Sequence, residues 1–355
     1  MQNSGLDEQS TNVKNVKYKN RAMSAKFGKA VVHVILIVYC IMTLIPFYFL
    51  AIRSFVPTSE SAKLHVWLPK TQEVSMNAVI GNLSTYYNLD MQKFKSEMEI
   101  TGYLNPQYTL ADISENYDVP TEKLQKYFES FYLFNGWKII LTGGKFLFAT
   151  LRTIFIVVSS ILLGALLGLS TGSVLARFKK RWHMYVYNTF MLQMIIPLTM
   201  IMLPLYLIVT KILGFENSLV SIILLNVQGS ALSTMIFTSY VATIPTEMRE
   251  SLEIDGGNRL HYFFKIVLPL SKVAVATYAV IRIPAYWNDL LYGFLFLKND
   301  SYPLIPMLSS LTGTYNTNFQ AIFSGLVFSV APLIVLYLLF QDLFVKSIMA
   351  GSIKG

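Results

Sequence analysis

The sequence predicts an all-α integral membrane protein with six transmembrane helices. Three observations lead to this fold class. Hydrophobic residues make up 54% of the 355 residues and charged residues only 14%, and the mean hydropathy is +0.48. Six apolar runs approach or exceed the roughly 20 residues that a helix needs to cross about 30 Å of hydrocarbon. Basic residues also cluster beside these runs. Together these features exclude an ordinary soluble domain.

The six apolar runs set the predicted organisation of the chain. We place the spans at residues 30–52, 147–176, 183–208, 218–241, 269–293 and 318–345. Six basic residues precede the first span, and the run from Arg177 to Arg181 joins the second to the third. Because basic loops stay in the cytoplasm, segments 1–29 and 346–355 and the loop at 245–269 are predicted to be cytoplasmic. The first run is too long for the apolar core of a signal peptide, so we expect no cleavable one.

Residue types that carry bond chemistry are sparse. Cys40 stands alone, which excludes a disulfide framework. The Gly-Gly-Lys-Phe sequence at 143–146 lacks the upstream glycine and the hydroxyl residue of a P-loop. We therefore expect no enzyme activity, no metal site and no cofactor, and any ATP must be used by a separate subunit. The net charge of +9 follows from the basic flanks of the spans rather than from nucleic-acid binding. The histidines are scattered: His33, His65, His183 and His261.

Segment 53–146, predicted to lie outside the cell, holds half of all the acidic residues. It is longer than loops usually are, so we expect it to contain structure of its own. Thr121 is a candidate N-cap after Pro120, and apolar residues follow it at helical spacing; a second short helix begins near Thr109. The helix pair resembles the helical part of glycan-binding LysM modules and equally the start of a helix-turn-helix. We favour a small cap that packs on itself.

A charged stretch lies between the fourth and fifth spans, from Pro245 to Gly257. Thr246 is a candidate N-cap, and the acidic residue after it suits a helix N-terminus. Glu250 and Glu253 are three residues apart and share one helix face. The double glycine at its end allows one helix to stop and another to leave at a steep angle. The pattern predicts an exposed docking helix.

This stretch carries a family resemblance. Its Glu-Ser-Leu-x-x-Asp-Gly-Gly sequence at 250–257, followed by Ile-x-Leu-Pro at 266–269, resembles the EAA motif of binding-protein-dependent ABC importer permeases. Trp287-Asn288-Asp289 and the tail at 344–355 resemble the carbohydrate branch, in particular the G-type permease of maltose-type systems. The likeness covers residues 27–55 and 136–355. It implies the MetI-like permease fold with a structured extracytoplasmic insert, in a bacterial cell membrane.

The resemblance also implies partners and coupling residues. The partners are a second homologous permease, two copies of a cytoplasmic ATP-binding subunit and an extracytoplasmic solute-binding protein. Ser251 and Leu252 replace the small residues of the motif, and we expect the leucine to alter the docking face. The alternative, an amphipathic helix on lipid headgroups, is disfavoured because its charged face is acidic. The residues expected to couple to the ATPase are Glu250, Glu253, Asp255, Gly256, Gly257, Leu268 and Pro269.

Arg282 is the most informative residue for the substrate. It falls near the middle of the fifth span, where a charge costs at least a few kcal/mol and faces a cavity or a partner. Asp289 is about 10.5 Å further along a helix, too far for direct contact unless Pro284 kinks the helix strongly. Guanidinium suits a carboxylate or a phosphate. We therefore hypothesise an anionic saccharide such as a uronate oligomer; the alternative is an ion pair with the companion permease.

Other polar residues in the predicted spans are candidates for the same pathway, since sugars are held by amides and aromatic rings. The alternative for each is an interhelical hydrogen bond. The predicted function is a permease subunit of an ATP-driven sugar or oligosaccharide importer. A glycerol-phosphate permease of the same mechanism and an ion-coupled secondary transporter are the alternatives. The pathway candidates besides Arg282 are Gln193, Asn226, Gln228, Tyr286, Trp287 and Asn288.

Overall fold

The computed structural model describes residues 4–352, except for 70–73, 88, 143, 178–180, 229–230 and 313–317. The regular structure of the described part is helical, and its β-structure is limited to one isolated antiparallel bridge between Val79 and Thr109. The helices before the second predicted span are α1 (Ser4–Arg53), α2 (Ile80–Tyr87), α3 (Met91–Glu97), α4 (Leu110–Asn116) and α5 (Thr121–Leu141).

The remaining helices form the C-terminal part of the chain. A π-helical turn, Ile208–Ile212, extends α8, and another, Phe263–Val267, joins α12 to α13. The helices are α6 (Lys145–Arg177), α7 (Arg181–Leu192), α8 (Leu198–Leu207), α9 (Leu219–Val227), α10 (Ala231–Val241), α11 (Thr246–Ile254), α12 (Arg259–Tyr262), α13 (Leu268–Leu270), α14 (Lys272–Trp287), α15 (Leu291–Phe296), α16 (Leu304–Ser309) and α17 (Phe319–Ser352).

Three segments are long and apolar enough to cross a membrane: Gly28–Arg53, Lys145–Arg177 and Phe319–Gln341. Two bent pairs of helices also pass this test when each is counted as one span. The pair α9 and α10 bends by 49°, and the pair formed by Arg259–Leu270 and α14 bends by 65°. By length and composition, the described residues therefore contain three to five spans.

The third predicted span, 183–208, is not a single helix. It divides into α7 and α8, with Gln193 in the turn between them. Pro197 is the N-cap of α8; it has no N–H to continue a preceding helix, so a new helix starts there. The fifth span also ends earlier than residue 293, because Asn288 closes α14. Both its backbone N–H and its side-chain Nδ2 bond to the Pro284 carbonyl, at 3.1 and 2.9 Å.

Helix α6 is the centre of the membrane-spanning part, and it packs against α9, α10 and α14. Gly164, Gly168 and Gly172 recur at four-residue spacing along one of its faces. A Cβ on Gly168 would lie 2.6 Å from the Phe237 ring, and a Cβ on Gly172 would lie 2.8 Å from the backbone of α10. Gly168 and Gly172 therefore allow α6 and α10 to approach closely, as small residues do between membrane helices, whereas Gly164 makes room for the Tyr278 side chain of α14.

Replacing Gly172 with leucine is expected to disrupt the fold. The nearest atoms to the new Cβ are backbone atoms of Phe237 and Thr238, which cannot rotate away. We expect a destabilisation of several kcal/mol, as for severe overpacking. Thermal unfolding in detergent, followed by monodispersity on gel filtration, measures this. Gly28→Leu is the matched control, because a Cβ there meets nothing within 4 Å; equal stability of the two variants would contradict the packing argument.

Helices α2 to α5 form a separate core. Phe94, Phe128 and Leu110 are among its fully buried side chains. Thr109 caps α4 in a capping box with Asp112. The N-cap of α5 is Pro120 rather than the predicted Thr121, and no side chain caps this helix. The second half of α5 packs against α17, so one continuous helix links this core to the rest of the molecule.

Candidate functional site

Residues 245–262, which we call the docking hairpin, form two helices joined by a tight turn. Helix α11 starts after Pro245, whose side chain makes no capping bond; Thr246 is thus the first helical residue and not the predicted N-cap. The turn is a Schellman motif, in which Gly257 N–H donates to the Leu252 carbonyl at 2.8 Å and Gly256 N–H to that of Glu253 at 3.1 Å. Gly256 has a φ of +77°.

The second helix of the hairpin begins at once. The Asn258 side chain accepts hydrogen bonds from the N–H groups of Leu260 and His261, both at 3.0 Å. The side chain therefore satisfies free donors at the start of α12. Gly256 adopts a backbone conformation that residues with a Cβ resist. The double glycine and the asparagine together give the hairpin a defined shape.

The outer face of the hairpin is acidic with an apolar tip. Glu250 and Asp255 are exposed, and neither forms an ion pair with any residue that the structure describes. Glu253 is exposed and bound to Arg249, with 2.7 Å between Oε1 and Nε. Ile254 and Leu260 are 87% and 67% exposed. Exposed apolar side chains beside acids form a surface that a basic partner with an apolar groove would cover.

Leu252 turns mainly away from this face, and its effect on a docking surface stays a prediction. Its side chain is partly buried and packs against the core cluster that contains Phe237, Val241 and Tyr262. A Cβ on Gly257 would lie 2.5 Å from Leu252 Cγ, so the leucine and the glycine occupy matched positions. The leucine faces the protein's own core because α11 turns that side inward.

The two predicted coupling residues beyond the hairpin differ in environment. Leu268 is partly buried against the same cluster as Leu252, whereas Pro269 is exposed. Both lie in α13, at the bend before α14. Leu268 therefore packs on the core that supports the hairpin, and its role in coupling stays a prediction.

Arg177, the last residue of α6, holds both sides of the docking hairpin. Its Nη2 donates to the Ile244 carbonyl at 3.4 Å, next to the start of α11. The same nitrogen donates to the hydroxyl of Tyr262, at the end of α12. Its guanidinium carbon lies 5.0 Å from the centre of the Tyr262 ring, and Tyr262 is buried. The longest described span thus ends in a clamp on the hairpin.

Two of the pathway candidates, Asn226 and Tyr286, bond to each other and to two further hydroxyl groups inside this chain. Asn226 Nδ2 donates to Ser160 Oγ at 3.2 Å, and Tyr286 OH donates to the Asn226 carbonyl at 2.9 Å. Tyr278 OH lies 3.2 Å from Tyr286 OH. Because these groups are buried and satisfied within the subunit, the structure favours the interhelical alternative for Asn226 and Tyr286.

Trp287 is likewise buried and hydrogen-bonded within the subunit. Its Nε1 donates to the Ser329 carbonyl at 3.1 Å, and the residue is 3% exposed. It joins α14 to α17. Buried, hydrogen-bonded groups of this kind fix helix packing in a membrane. The four helices α6, α9, α14 and α17 are therefore connected by a polar network around residues that we had expected to contact substrate.

The other pathway candidates keep an accessible surface. Gln193, Gln228 and Asn288 are exposed, and Arg282 is partly exposed. The Arg282 guanidinium lies 5.6 Å from the centre of the Tyr286 ring, a cation–π distance. Asp289 Oδ1 accepts from the backbone N–H of Tyr292 at 3.3 Å.

Three residues of these arrangements are missing from the sequence-based predictions. Ser160 and Tyr278 lie in apolar helices, where a single hydroxyl gives little signal. Arg177 was assigned only to the basic flank of α6. The four-residue spacing of glycines in α6 was a usable signal for close packing. The described residues contain no group of three or more His, Cys, Asp or Glu side chains that could bind a metal.

Comparison with known proteins places this geometry in a family. The model of the family described as "Binding-protein-dependent transport system inner membrane component" matches residues 161–350. The arabinooligosaccharides transport system permease protein AraQ of Bacillus subtilis is 28% identical over 258 residues, 72% of this chain and 88% of the relative. The probable starch degradation products transport system permease protein AmyC of Thermoanaerobacterium thermosulfurigenes is 30% identical over 204 residues, 57% and 74% of the two chains.

A solved structure shares the fold. It is a chain of a bacterial ABC transporter involved in the import of the acidic polysaccharide alginate. The TM-score is 0.61 at 16% sequence identity, over 90% of this chain and 97% of that chain. The similarity extends beyond the family match and includes residues before 161.

Proposed function

Because the chain belongs to the family of binding-protein-dependent transport system inner membrane components, we propose that it is the permease subunit of an ATP-driven importer of sugars or oligosaccharides. The observation that carries the proposal is the docking hairpin: a defined, acidic, exposed element that is clamped to the end of α6 and lies within the matched region. Relatives named for arabinooligosaccharides and for starch degradation products support the substrate class.

In this proposal the chain forms half of the translocation pathway and works with four further subunits. A second homologous permease forms the other half, two copies of an ATP-binding subunit take up the hairpins, and an external solute-binding protein delivers the solute. Both termini and the hairpin lie in the cytoplasm, and residues 53–146 lie outside. The basic flanks of α1 and the second span support this orientation.

Mechanical coupling follows from the contacts at the hairpin. Closure of the ATPases on binding ATP moves α11, which the partner grips through Glu250, Asp255 and the exposed tip. Arg177 passes the movement to α6, whose buried Ser160 lies about 25 Å away along the helix axis. Ser160, Asn226 and Tyr286 then transmit it to α9 and α14. The chain thereby changes the accessibility of the pathway, and the chemical step of hydrolysis belongs to the ATPase.

The experiment that tests the proposal is reconstitution. The chain, expressed with its companion permease, should bring an ATP-binding subunit through purification. In proteoliposomes, ATP hydrolysis should rise when a saccharide-loaded binding protein is added, and labelled saccharide should accumulate. An ion-coupled secondary transporter would instead accumulate solute in ATP-free vesicles that carry an ion gradient, and would purify without an ATPase; that result would overturn the proposal.

Within this function we assign Arg282 to an anionic substrate group. The residue is partly exposed, and its guanidinium is suited to a carboxylate. Arg282→Gln is expected to lower uptake of a uronate oligomer by roughly tenfold, the loss of one charge-assisted contact. Uptake of a neutral oligosaccharide of equal length should change little. The measurement is initial uptake of both solutes in the same vesicles, and equal effects on both would contradict the assignment.

A permease for glycerol phosphate or another small anionic solute is the second candidate, because Arg282 suits a phosphate equally well. The same vesicles distinguish the two. A phosphate solute would be taken up in an Arg282-dependent manner while oligosaccharides of either charge would not enter.

A further inference from the structure

A cavity of about 1090 Å³ lies between the helical core of residues 80–128 and the outer end of the membrane-spanning part. It is as large as the pockets that take up sizeable ligands. Its roof comes from α2, α3 and the first half of α5. Its floor comes from the second half of α5, the start of α6 and the turn at Asn299–Ser301. Segments distant in sequence thus meet around one space, which the transport mechanism above does not use.

The floor of this outer cavity carries most of its positive charge. Lys138 lies on α5, Lys145 is the first residue of α6, and Arg152 follows two turns later. The N-terminus of α6 adds unpaired backbone N–H groups and a partial positive charge. Burial is the main cause that lowers the pKa of the Lys138 ammonium. A partly desolvated cation of this kind is stabilised when an anionic group binds beside it.

The acidic residues that line the cavity are largely engaged. Asp90 caps α3, its Oδ1 accepting from the N–H groups of Gln92 and Lys93 at 2.9 and 3.2 Å. Glu97 lies 3.9 Å from the Lys93 ammonium. Asp300 is the third acid. Asp90 and Glu97 thus belong to the roof, and Glu97 also acts on Lys138. Asp300 belongs to the floor, where Lys138, Lys145 and Arg152 outnumber it.

A buried amide also faces the cavity. Asn135 is only 4% exposed and lines the cavity. A side-chain amide both donates and accepts hydrogen bonds, so this group is suited to the hydroxyls of a ligand. Tyr87, Tyr127 and Phe148 add aromatic rings. Burial, with Glu97 and Asp90, raises the pKa of Tyr127 to about 12, so its hydroxyl stays neutral and can donate a hydrogen bond.

We propose that the outer cavity binds an acidic oligosaccharide, whose carboxylates meet Lys138, Lys145 and Arg152 and whose hydroxyls meet Asn135. Rings of tyrosine and phenylalanine provide surfaces for sugar faces. This inference rests on the proposed import of saccharides and adds an outer site to it. Segment 53–146 thereby gains a role: it supplies the roof of a site that holds the solute before it enters the membrane pathway.

The test uses the complete transporter complex in nanodiscs of zwitterionic phosphatidylcholine, without the binding protein. Equilibrium binding of tetragalacturonate is compared with that of maltotetraose, a neutral oligomer of equal length. We expect tetragalacturonate to bind preferentially, and Lys138→Gln/Lys145→Gln to weaken its binding roughly tenfold or more. Asn135→Leu should weaken it as well. Lys126→Gln, an exposed lysine of α5 that does not line the cavity, should leave it unchanged.

Further measurements test whether the anion that binds in the outer cavity is the oligosaccharide or a lipid headgroup. Arg282→Gln should retain tetragalacturonate binding, since Arg282 does not line this cavity. Wild-type affinity in the double lysine variant, or loss of binding through Arg282→Gln alone, would overturn the proposal. So would an outcome in which only phosphatidylglycerol, supplied in the nanodisc, occupies the cavity and tetragalacturonate does not bind. Thermal unfolding of each variant shows that it is folded.

Different experimental results would contradict the outer binding site and the proposed import function. ATP-driven uptake of maltotetraose with no lysine-dependent binding of tetragalacturonate would remove the outer site alone. Lysine-dependent binding in a complex that transports no saccharide would instead remove the proposed function.

Discussion

Replacing Arg177 with glutamine is expected to reduce saccharide transport per ATP hydrolysed by at least about tenfold. The guanidinium holds the Ile244 carbonyl on one side of the docking hairpin and the Tyr262 hydroxyl on the other. Hydrogen bonds to a charged donor contribute roughly 1.5–3 kcal/mol each, and glutamine can replace at most one of them. The hairpin would still dock, but its polar connection to α6 would be lost, and only apolar packing such as that of Tyr262 in the cluster with Leu169 would remain. The measurement is uptake and ATP hydrolysis in the same proteoliposomes.

Three further variants separate coupling from folding. Arg181→Gln removes an exposed charge a few residues away and should keep the wild-type ratio of uptake to ATP hydrolysis. This variant controls for the loss of a positive charge near the end of α6. Tyr262→Phe removes only the hydroxyl and should have a smaller effect than Arg177→Gln. Arg177→Lys retains the charge and should restore part of the ratio. An unchanged transport yield per ATP in Arg177→Gln would show that the clamp is only a packing feature.

The second large effect is expected from Glu250→Lys. Glu250 is exposed on the outer face of α11, so the substitution leaves the permease folded. In the complex, a reversed charge opposite a basic groove leaves like charges facing each other, which costs several kcal/mol. We expect transport to fall by roughly a hundredfold, together with loss of the ATPase during purification.

The control for Glu250→Lys is the same charge change elsewhere. Glu122 is exposed on α5 and is distant in sequence from the docking hairpin. The Glu122→Lys variant should therefore keep wild-type transport. Retained ATPase and normal transport in Glu250→Lys would mean that the acidic face is not the dock. Restoration of transport by an acidic substitution in the groove of the ATPase would identify the opposing residue.

The docking hairpin shows how far sequence reasoning reached. Its position and its acidic face follow from local sequence, because a double glycine ends one helix and charges at three-residue spacing share a face. The direction of Leu252 did not follow. That side chain turns inward because the rotation of α11 is set by packing on Phe237 and Tyr262, residues outside the helix itself. The N-cap of α11 is also Pro245 rather than the predicted Thr246, which is the first helical residue.

The polar residues of the spans were harder to assign. Composition identifies Asn226, Tyr286 and Trp287 as unusual in apolar helices but does not distinguish a substrate contact from a helix contact. The distinction depends on partners such as Ser160, which lies 66 residues from Asn226 in the chain. Within the third predicted span, hydropathy is continuous across Gln193 and Pro197, so an average over the run conceals the break between α7 and α8.

The sequence by itself determined that the protein is helical, that it belongs in a membrane, and where its exposed acidic hairpin lies. These properties depend on hydrophobicity and charge along the chain, and each can be evaluated within a short window. The tertiary structure alone decided which polar groups satisfy each other, how closely α6 and α10 approach, and that Arg177 reaches Tyr262 across 85 residues of chain. Such contacts depend on the relative positions of the helices, and these positions are set by the packing of all the helices together.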